Sequence, residues 1–509
     1  MSNINQIQRV SDIISPNEIA KWDNQNVVVI SAGTGAGKSY FIKNKLYQFA
    51  KSEGKKILFL LHRSNCVTQF QSEIERDKKT DVIEIKTYQS IEHSILKNQT
   101  CIDFSQYKYV VNDEFHYYVC DAGFNKTTDI SFNAVMDAKN CIRIFMSATG
   151  DEIQSCLFRV IRKNYKPRIY PLEPDYSHIR KLVFFNKKDS KETILKQILS
   201  SGEKAIFFIQ SVKEAYTLYK AYKDKCLFNC SKYSDHYKYV DEVKINSMLE
   251  HEKFEEQVLI TTSCFDAGAN IIDLNVKHIL ADIVDVNSLV QCLGRKRTQN
   301  SEDNITVYIQ NITNNRLGGF LQAAKKDIEM ANYLKKHNTQ MLVEKYPRQV
   351  DKSYIIYDES KRNKQINQVT KKINQLIYAK KQYDITTFEK ILKEGSFGYC
   401  KFIAKKFGRY DKKSDWCNYE LLSEDYSLET YLESCIGNIM LQVKDRKELI
   451  KRIDVRSNGR QLKSLLALNS ALEERQVEFK IVLAPTSRMI NGKQKKYTNA
   501  WKVKKIDDG

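Results

Sequence analysis

The sequence predicts an α/β fold in which a parallel sheet, covered by helices on both faces, occurs twice and is followed by a mostly helical and α+β C-terminal region. The first observation behind this is an alternation of short β-branched and aromatic runs with helix-length amphipathic stretches. The runs fall at 27–31, 57–61, 82–85, 109–112 and 142–146, then at 182–185, 205–210, 226–229, 258–261, 278–281 and 305–309. Short, fully apolar strands between helices are the mark of a sheet buried on both sides. The second observation is that three of only six prolines, Pro167, Pro171 and Pro174, lie within eight residues. Proline continues neither a helix nor a central strand, so this stretch reads as the joint between two α/β lobes. The third is a change of pattern after residue 312. These boundaries divide the chain into 1–165, 175–312, 313–420 and 421–509.

Beyond 312, residues 314–337 read as a long helix. Residues 361–380 read as a strongly basic one, with Ile366, Val369, Ile373 and Leu376 at helical spacing. Residues 462–474 look helical, and 477–483 and 497–505 look like strands. Between those strands lies a basic loop with Arg488, Lys493, Lys495 and Lys496, a helix-and-hairpin order similar to a wing-type nucleic-acid reader. Tyr497 and Trp501 beside those lysines suit either base stacking or a core.

At 509 residues the chain exceeds one ordinary domain, and 42% hydrophobic residues suffice for several cores. The excess of 82 Lys+Arg over 62 Asp+Glu, net +20, favours a polyanionic partner, because each neutralised phosphate releases counterions. Twelve scattered cysteines, several inside apolar runs (Cys66, Cys141, Cys264), suit reduced thiols and a cytoplasmic location. No segment reaches the roughly 18 to 20 apolar residues of a membrane span, so no membrane partner is expected. Cys226 and Cys230, with His236 nearby, lack a second ligand pair and read as core.

The chemistry concentrates in a few motifs. Ala32-Gly33-Thr34-Gly35-Ala36-Gly37-Lys38-Ser39 follows one strand run and precedes a helix, which is the context of a phosphate loop. Its glycines let backbone N–H groups close around phosphates. Lys38 is placed to neutralise the β- and γ-phosphates of ATP, and the Ser39 hydroxyl to ligate Mg²⁺. Some seventy residues on, an apolar strand ends in Asp113-Glu114-Phe115-His116. Two adjacent carboxylates suit two tasks, Asp113 holding the Mg²⁺ shell and Glu114 orienting or deprotonating the attacking water.

With these residues in view, the stretch from about 25 to 312 resembles superfamily 2 helicases of the DExH type, of a bacterial or phage-like kind. The resemblance implies two tandem RecA-like lobes with one ATP in the cleft between them. It implies that Ser147-Ala148-Thr149, with His116, couples hydrolysis to nucleic-acid grip. Arg63, Gln69 and Thr87 look like first-lobe elements that touch the nucleic-acid backbone, and Thr262 like their second-lobe counterpart. Gly268 and Asn270 keep the spacing of positions that approach the nucleotide. Residues 291–297 (Gln291-Cys292-Leu293-Gly294-Arg295-Lys296-Arg297) resemble the motif that supplies the arginine finger, with Gln291 and Arg295 at the family's positions. The usual last arginine falls where this chain has Thr298, which leaves open whether Arg297, one position earlier, substitutes for the second finger.

The expected activity is therefore ATP hydrolysis coupled to translocation on, or unwinding of, nucleic acid, with DNA favoured over RNA. The rival readings are an ATP-gated duplex remodeller and the motor subunit of a larger nuclease or defence complex, with protein partners bound through residues 340–509. Glu478-Phe479-Lys480 is similar to a nuclease core, but the only tempting candidate for the upstream strand-end acid, Asp454, lies in helical surroundings.

Overall fold

The computed structural model describes residues 8–506 except 25, 34, 63, 98–101, 121–124, 148–165, 187–188, 263–269, 301, 364–365, 413–415, 423–427, 429–430, 434, 458–459, 476 and 491–492. The chain divides into two compact units, Met1–Glu420 and Leu421–Gly509. Among the described residues no helix is long and apolar enough to cross a membrane.

The first unit holds two parallel sheets, consistent with tandem RecA-like lobes. Strands β1 (Asn26–Ala32), β2 (Ile57–Leu61), β3 (Ile83–Thr87), β4 (Tyr109–Asn112), β5 (Ile142–Ser147) and β6 (Lys166–Leu172) are arranged in the order β3-β2-β4-β5-β1-β6, all parallel. Every residue of β2 and β5 is buried, as a central strand covered on both faces requires. Strands β7 (Ile179–Phe185), β8 (Lys204–Ile209), β9 (Cys226–Phe228), β10 (Val258–Thr261), β11 (Val276–Asp282) and β12 (Ile305–Gln310) form the second sheet. Its parallel order is β7-β12-β11-β8-β10-β9, with a two-residue strand added at the β7 edge. Cys226 and Cys230 are buried in the apolar core of this lobe.

The proline cluster is not simply a joint. Pro167 and Pro171 lie inside β6, paired with Val27 and Ser31 of β1. The missing N–H groups are tolerated because β6 is the edge of its sheet.

The region after the second lobe departs further from expectation. Helix Asn314–Lys336 forms as read, but the basic helix at 361–380 does not. Instead β13 (Ile356–Asn363) and β14 (Ile366–Ile373) make an antiparallel hairpin, and a new helix runs Gln375–Lys393. The spacing of Ile366, Val369, Ile373 and Leu376 misled because helical periodicity ignores the partner strand. Ile373 pairs with Ile356, and both are buried against Met330, Leu342 and Ile377. The β-branched residues of this segment suit the pleat. Asn374 supplies the helix start that went unread, its Oδ1 accepting from the N–H groups of Leu376 and Ile377 at 3.0 and 3.1 Å.

The long helix Gln375–Lys393 spans both lobes. At its start Leu376 belongs to a first-lobe core, while Ile391 and the following helix, Gly398–Lys406, pack into the second. Asn374 is fully buried and donates to the Lys126 carbonyl and to Thr128 Oγ1 of the first lobe. Tyr357 donates its hydroxyl to Asp129 Oδ2 in the same place.

In the second unit, helix Leu465–Glu474 packs on a three-stranded antiparallel sheet of Ile439–Met440, Trp501–Lys505 and Phe479–Leu483. The stretch expected as a basic loop is itself a hairpin, Thr486–Ile490 against Lys493–Tyr497. Trp501 and Tyr497 are buried, so they serve the core rather than stacking on bases, and the Arg446 guanidinium covers the Trp501 ring at 4.3 Å. Asp454 caps the helix Lys447–Ile453 and accepts hydrogen bonds from Arg456 and Gln461.

Candidate active site

The apolar strand β1 ends at Ala32, and the chain then turns through Gly35 and Gly37, at φ +86° and +80°. Side chains are strained in that region, so glycine is what lets the loop reverse here. It enters a helical run through Lys38–Tyr40, a π-helical Phe41–Leu46 and Tyr47–Ser52. The Lys38 ammonium curls back into the loop, donating to the carbonyls of Ala32 (2.8 Å) and Gly33 (3.3 Å). Burial, with Arg297 and Arg295 nearby, lowers its pKa against the pull of Glu114 and Asp113. Val10 donates its N–H to the Ala36 carbonyl, closing the N-terminal segment over the loop. Ser39 follows Lys38, half-buried.

The carboxylates sit at the end of β4. Asp113 donates its N–H to the Leu60 carbonyl and Phe115 its own to Met146, both at 3.0 Å. Between them Glu114 is held at φ +46°, a left-handed conformation that costs a non-glycine residue roughly 1–3 kcal/mol. The Tyr88 hydroxyl grips this kink, donating to the Asp113 carbonyl at 2.7 Å, while its ring stacks on Tyr117 at 4.7 Å. Asp113 Oδ1 is buried without a hydrogen-bond partner among the described residues. Burial and the neighbouring Glu114 charge raise the Asp113 carboxyl well above the usual carboxylate range. Burial also acts to raise Glu114, but the Lys38 ammonium, the His116 hydrogen bond and Arg295 outweigh it and hold Glu114 ionised, below that range. His116 Nδ1 lies 3.2 Å from Glu114 Oε2 and 3.5 Å from the Ser147 hydroxyl.

The second lobe closes the group. Helix Val286–Leu293, capped by the Asp285 carboxylate, presents Gln291 to the first lobe. The Gln291 amide nitrogen is 2.9 Å from His116 Nε2, both side chains being buried. Past the helix, Arg295 accepts the Ile271 N–H at its carbonyl and Arg297 donates to the Ile271 carbonyl, both at 2.8 Å. This bridge pins the arginine segment beside Asn270, whose Oδ1 accepts from Arg297 Nε at 2.8 Å. Burial, then repulsion from Arg295, brings the Arg297 pKa down to about 10. A Cβ added to Gly35 would lie 3.4 Å from Arg297 Nη1, so this guanidinium lies against the phosphate loop.

Lys38, Asp113, Glu114, His116, Gln291, Arg295 and Arg297 thus form one group, with Asn270 joined through Arg297. Thr87 ends β3 and caps the next helix, accepting the Ser90 N–H, and Thr262 lies buried just after β10. The readings of Thr34, Arg63, Thr149 and Gly268, and of the Gln69 side chain, fall outside the described residues. The hold of Tyr88 on Asp113 was not foreseen from the sequence. A tyrosine directly after a strand-end threonine was the only signal, and the contact spans 25 residues.

Residues 3–152 match the family model described as Type III restriction enzyme, res subunit. No curated protein matches the chain. Solved structures similar to it include S. cerevisiae Dbp5 bound to RNA and ADP BeF3 (16% identity, 56% of this chain and 78% of that one, TM-score 0.40). They also include the DEAD-box helicase Mss116 bound to ssRNA and UDP-BeF (17%, 59% and 69%, 0.43) and the DUF1998 helicase MrfA bound to DNA (14%, 59% and 48%, 0.43). The family match falls on the first of the two parallel-sheet lobes.

Proposed function

We propose that this protein is an ATP-dependent nucleic-acid motor that hydrolyses ATP between its two lobes, with DNA as the favoured track. The observation that carries this is the buried line from Gln291 through His116 to Glu114, which joins the second lobe to the hydrolytic carboxylate of the first. A magnesium ion fits the site because Asp113 Oδ1 is a buried acceptor without a partner among the described residues, and Asp113 with Ser39 would hold it. Bound there, the ion would draw charge from the phosphate oxygens. Glu114, kept ionised, takes a proton from the attacking water. Lys38 moves from the loop carbonyls to the phosphates. Arg295 and Arg297, with Arg297 in place of the second finger, neutralise charge developing on the transferred phosphoryl group. Because these arginines belong to the second lobe, hydrolysis requires the lobes to be closed, and release of products lets them part.

The test is the steady-state ATPase rate with no polymer, single-stranded DNA, duplex DNA and single-stranded RNA, with Lys38→Ala as the blank. Stimulation by one polymer, with Glu114→Gln binding ATP but turning over at least a hundredfold more slowly, is the expected result. A rate that no polymer moves would overturn the motor reading. The res-subunit match favours a second reading, the motor subunit of a larger nuclease complex. That reading predicts polymer-stimulated turnover only after a partner chain is added.

A further inference from the structure

Residues 479–505 contain eight Lys or Arg and not one Asp or Glu. Folding places these charges against one another. On the sheet of the second unit, Lys480 of Phe479–Leu483 stands directly opposite Lys504 of Trp501–Lys505, and Val482 opposite Lys502. Directly opposed residues of an antiparallel pair share a face, so Lys480, Lys502 and Lys504 lie together on the face away from buried Ile481 and Val503. In the hairpin that follows, Arg488 stands opposite Lys495, with Lys496 opposite Ser487 on the other face. Among the described residues the one acid near this segment that pairs with it is Glu478, 3.9 Å from Lys505.

Like charges set directly across a strand pair weaken it. Two such pairs, Lys480–Lys504 and Arg488–Lys495, in a segment without a carboxylate are a cost the fold carries for some external anion. Lys502 and Lys504, two residues apart along one strand, are about 7 Å apart, comparable to the interval between successive phosphates of a nucleic-acid strand. The rings of this segment identify the form of the anion. Phe479, Tyr497 and Trp501 are 5%, 9% and 7% exposed. None is available to stack on unpaired bases, as single-strand binding requires.

We infer that the second unit is a sequence-independent grip for the phosphate backbone of duplex nucleic acid, made by the Lys480–Lys502–Lys504 face and the Arg488–Lys495–Lys496 hairpin. This grip needs no ATP and lies outside the nucleotide-site motifs. It holds duplex while the lobes cycle, which an enzyme that releases its track at each turnover would otherwise lose.

The experiment uses the full chain without nucleotide and measures binding to a fluorescent 30-base-pair DNA duplex across a salt series. Lys480→Glu with Lys504→Glu, and separately Arg488→Glu with Lys495→Glu, are each expected to weaken binding tenfold or more. Each is expected to lower the slope of log affinity against log salt by about two. The discriminating signature is the sign of the stability change. The single variants Lys480→Glu and Arg488→Glu create an opposite-charge cross-strand pair, so the melting temperature holds or rises while duplex affinity falls. Should a Glu variant unfold, the neutral pairs Lys480→Gln with Lys504→Gln and Arg488→Gln with Lys495→Gln carry the decision. Unchanged affinity and salt slope in folded variants would overturn the inference. So would tighter binding of phosphatidylglycerol vesicles than of duplex, lost in the same variants, which would make the surface a membrane contact. Since binding rather than turnover is read, failure here leaves the ATPase reading standing, and failure of that reading leaves this grip intact.

Discussion

The side-chain amide of Gln291, in the second lobe, meets the His116 imidazole of the first at 2.9 Å, and the other ring nitrogen of His116 lies 3.2 Å from Glu114. Gln291 and His116 stand 175 positions apart in the chain. The same amide nitrogen lies 3.1 Å from His116 Nδ1, so one side chain of the second lobe meets both ring nitrogens. The second lobe is thus linked, through His116, to Glu114.

Gln291→Ala and His116→Ala should therefore lower polymer-stimulated kcat by about tenfold to a hundredfold, with a smaller change in the KM for ATP. The double variant should cost little more than either single one, because both act through one contact. Steady-state kinetics on the four proteins checks this, and fully additive losses would argue against a shared path.

Tyr88 holds the carbonyl of Asp113 directly before the left-handed Glu114. Tyr88→Phe keeps the ring stack on Tyr117 but removes the donor, leaving a buried carbonyl short of a partner at a cost of about 1–3 kcal/mol. The expected outcome is a fall in kcat of roughly tenfold, with ATP binding retained. Nucleotide titration alongside turnover separates this from simple unfolding.

Asn374 is buried, caps a long helix and bonds to the first lobe through its amide nitrogen. Asn374→Ala removes the cap and strands two first-lobe acceptors, so a loss of about 2–3 kcal/mol is expected. Chemical denaturation of the full chain measures it. Asn374→Asp keeps the cap but sets a buried carboxylate oxygen against those two acceptors, so its loss should be at least as large.

Asp129, which accepts from Tyr357, has its carboxyl pushed up to about 6, chiefly by burial, against the lowering effect of that hydrogen bond. Its folded pKa lies above its unfolded value of about 3.9, so the folded state binds the proton more tightly. The ionised side chain is thus a burden above pH 6 that fades as pH falls to about 4. Asp129→Asn should stabilise the protein by roughly 2 kcal/mol at pH 7.5 and by nothing near pH 4. Thermal melts at the two pH values test the sign.

The two lobes were legible because their strands are short apolar runs, and burial on both faces leaves that pattern in the residues themselves. Eleven runs corresponded to β1–β5 and β7–β12. The strand that escaped, β6, contains prolines, and a proline-bearing edge strand looks from sequence like a break. The phosphate loop and the Asp113-Glu114 pair were legible for a related reason, since backbone closure around phosphate and paired carboxylates demand particular residue types at fixed spacing.

By itself, then, the sequence determined the α/β class, the doubled sheet and the residue types on which the proposed ATP chemistry rests, all of which are local properties. Only the tertiary structure decided that His116 joins Glu114 to Gln291, that Arg297 lies against the phosphate loop and that Tyr88 holds the carboxylate turn. It likewise decided that residues 356–373 form a hairpin and that Lys480 faces Lys504 across the terminal sheet. Each of these is a pairing between distant segments. Periodicity and spacing describe one segment at a time, and the energy that selects a partner strand or a buried hydrogen bond exists only once both partners are in place.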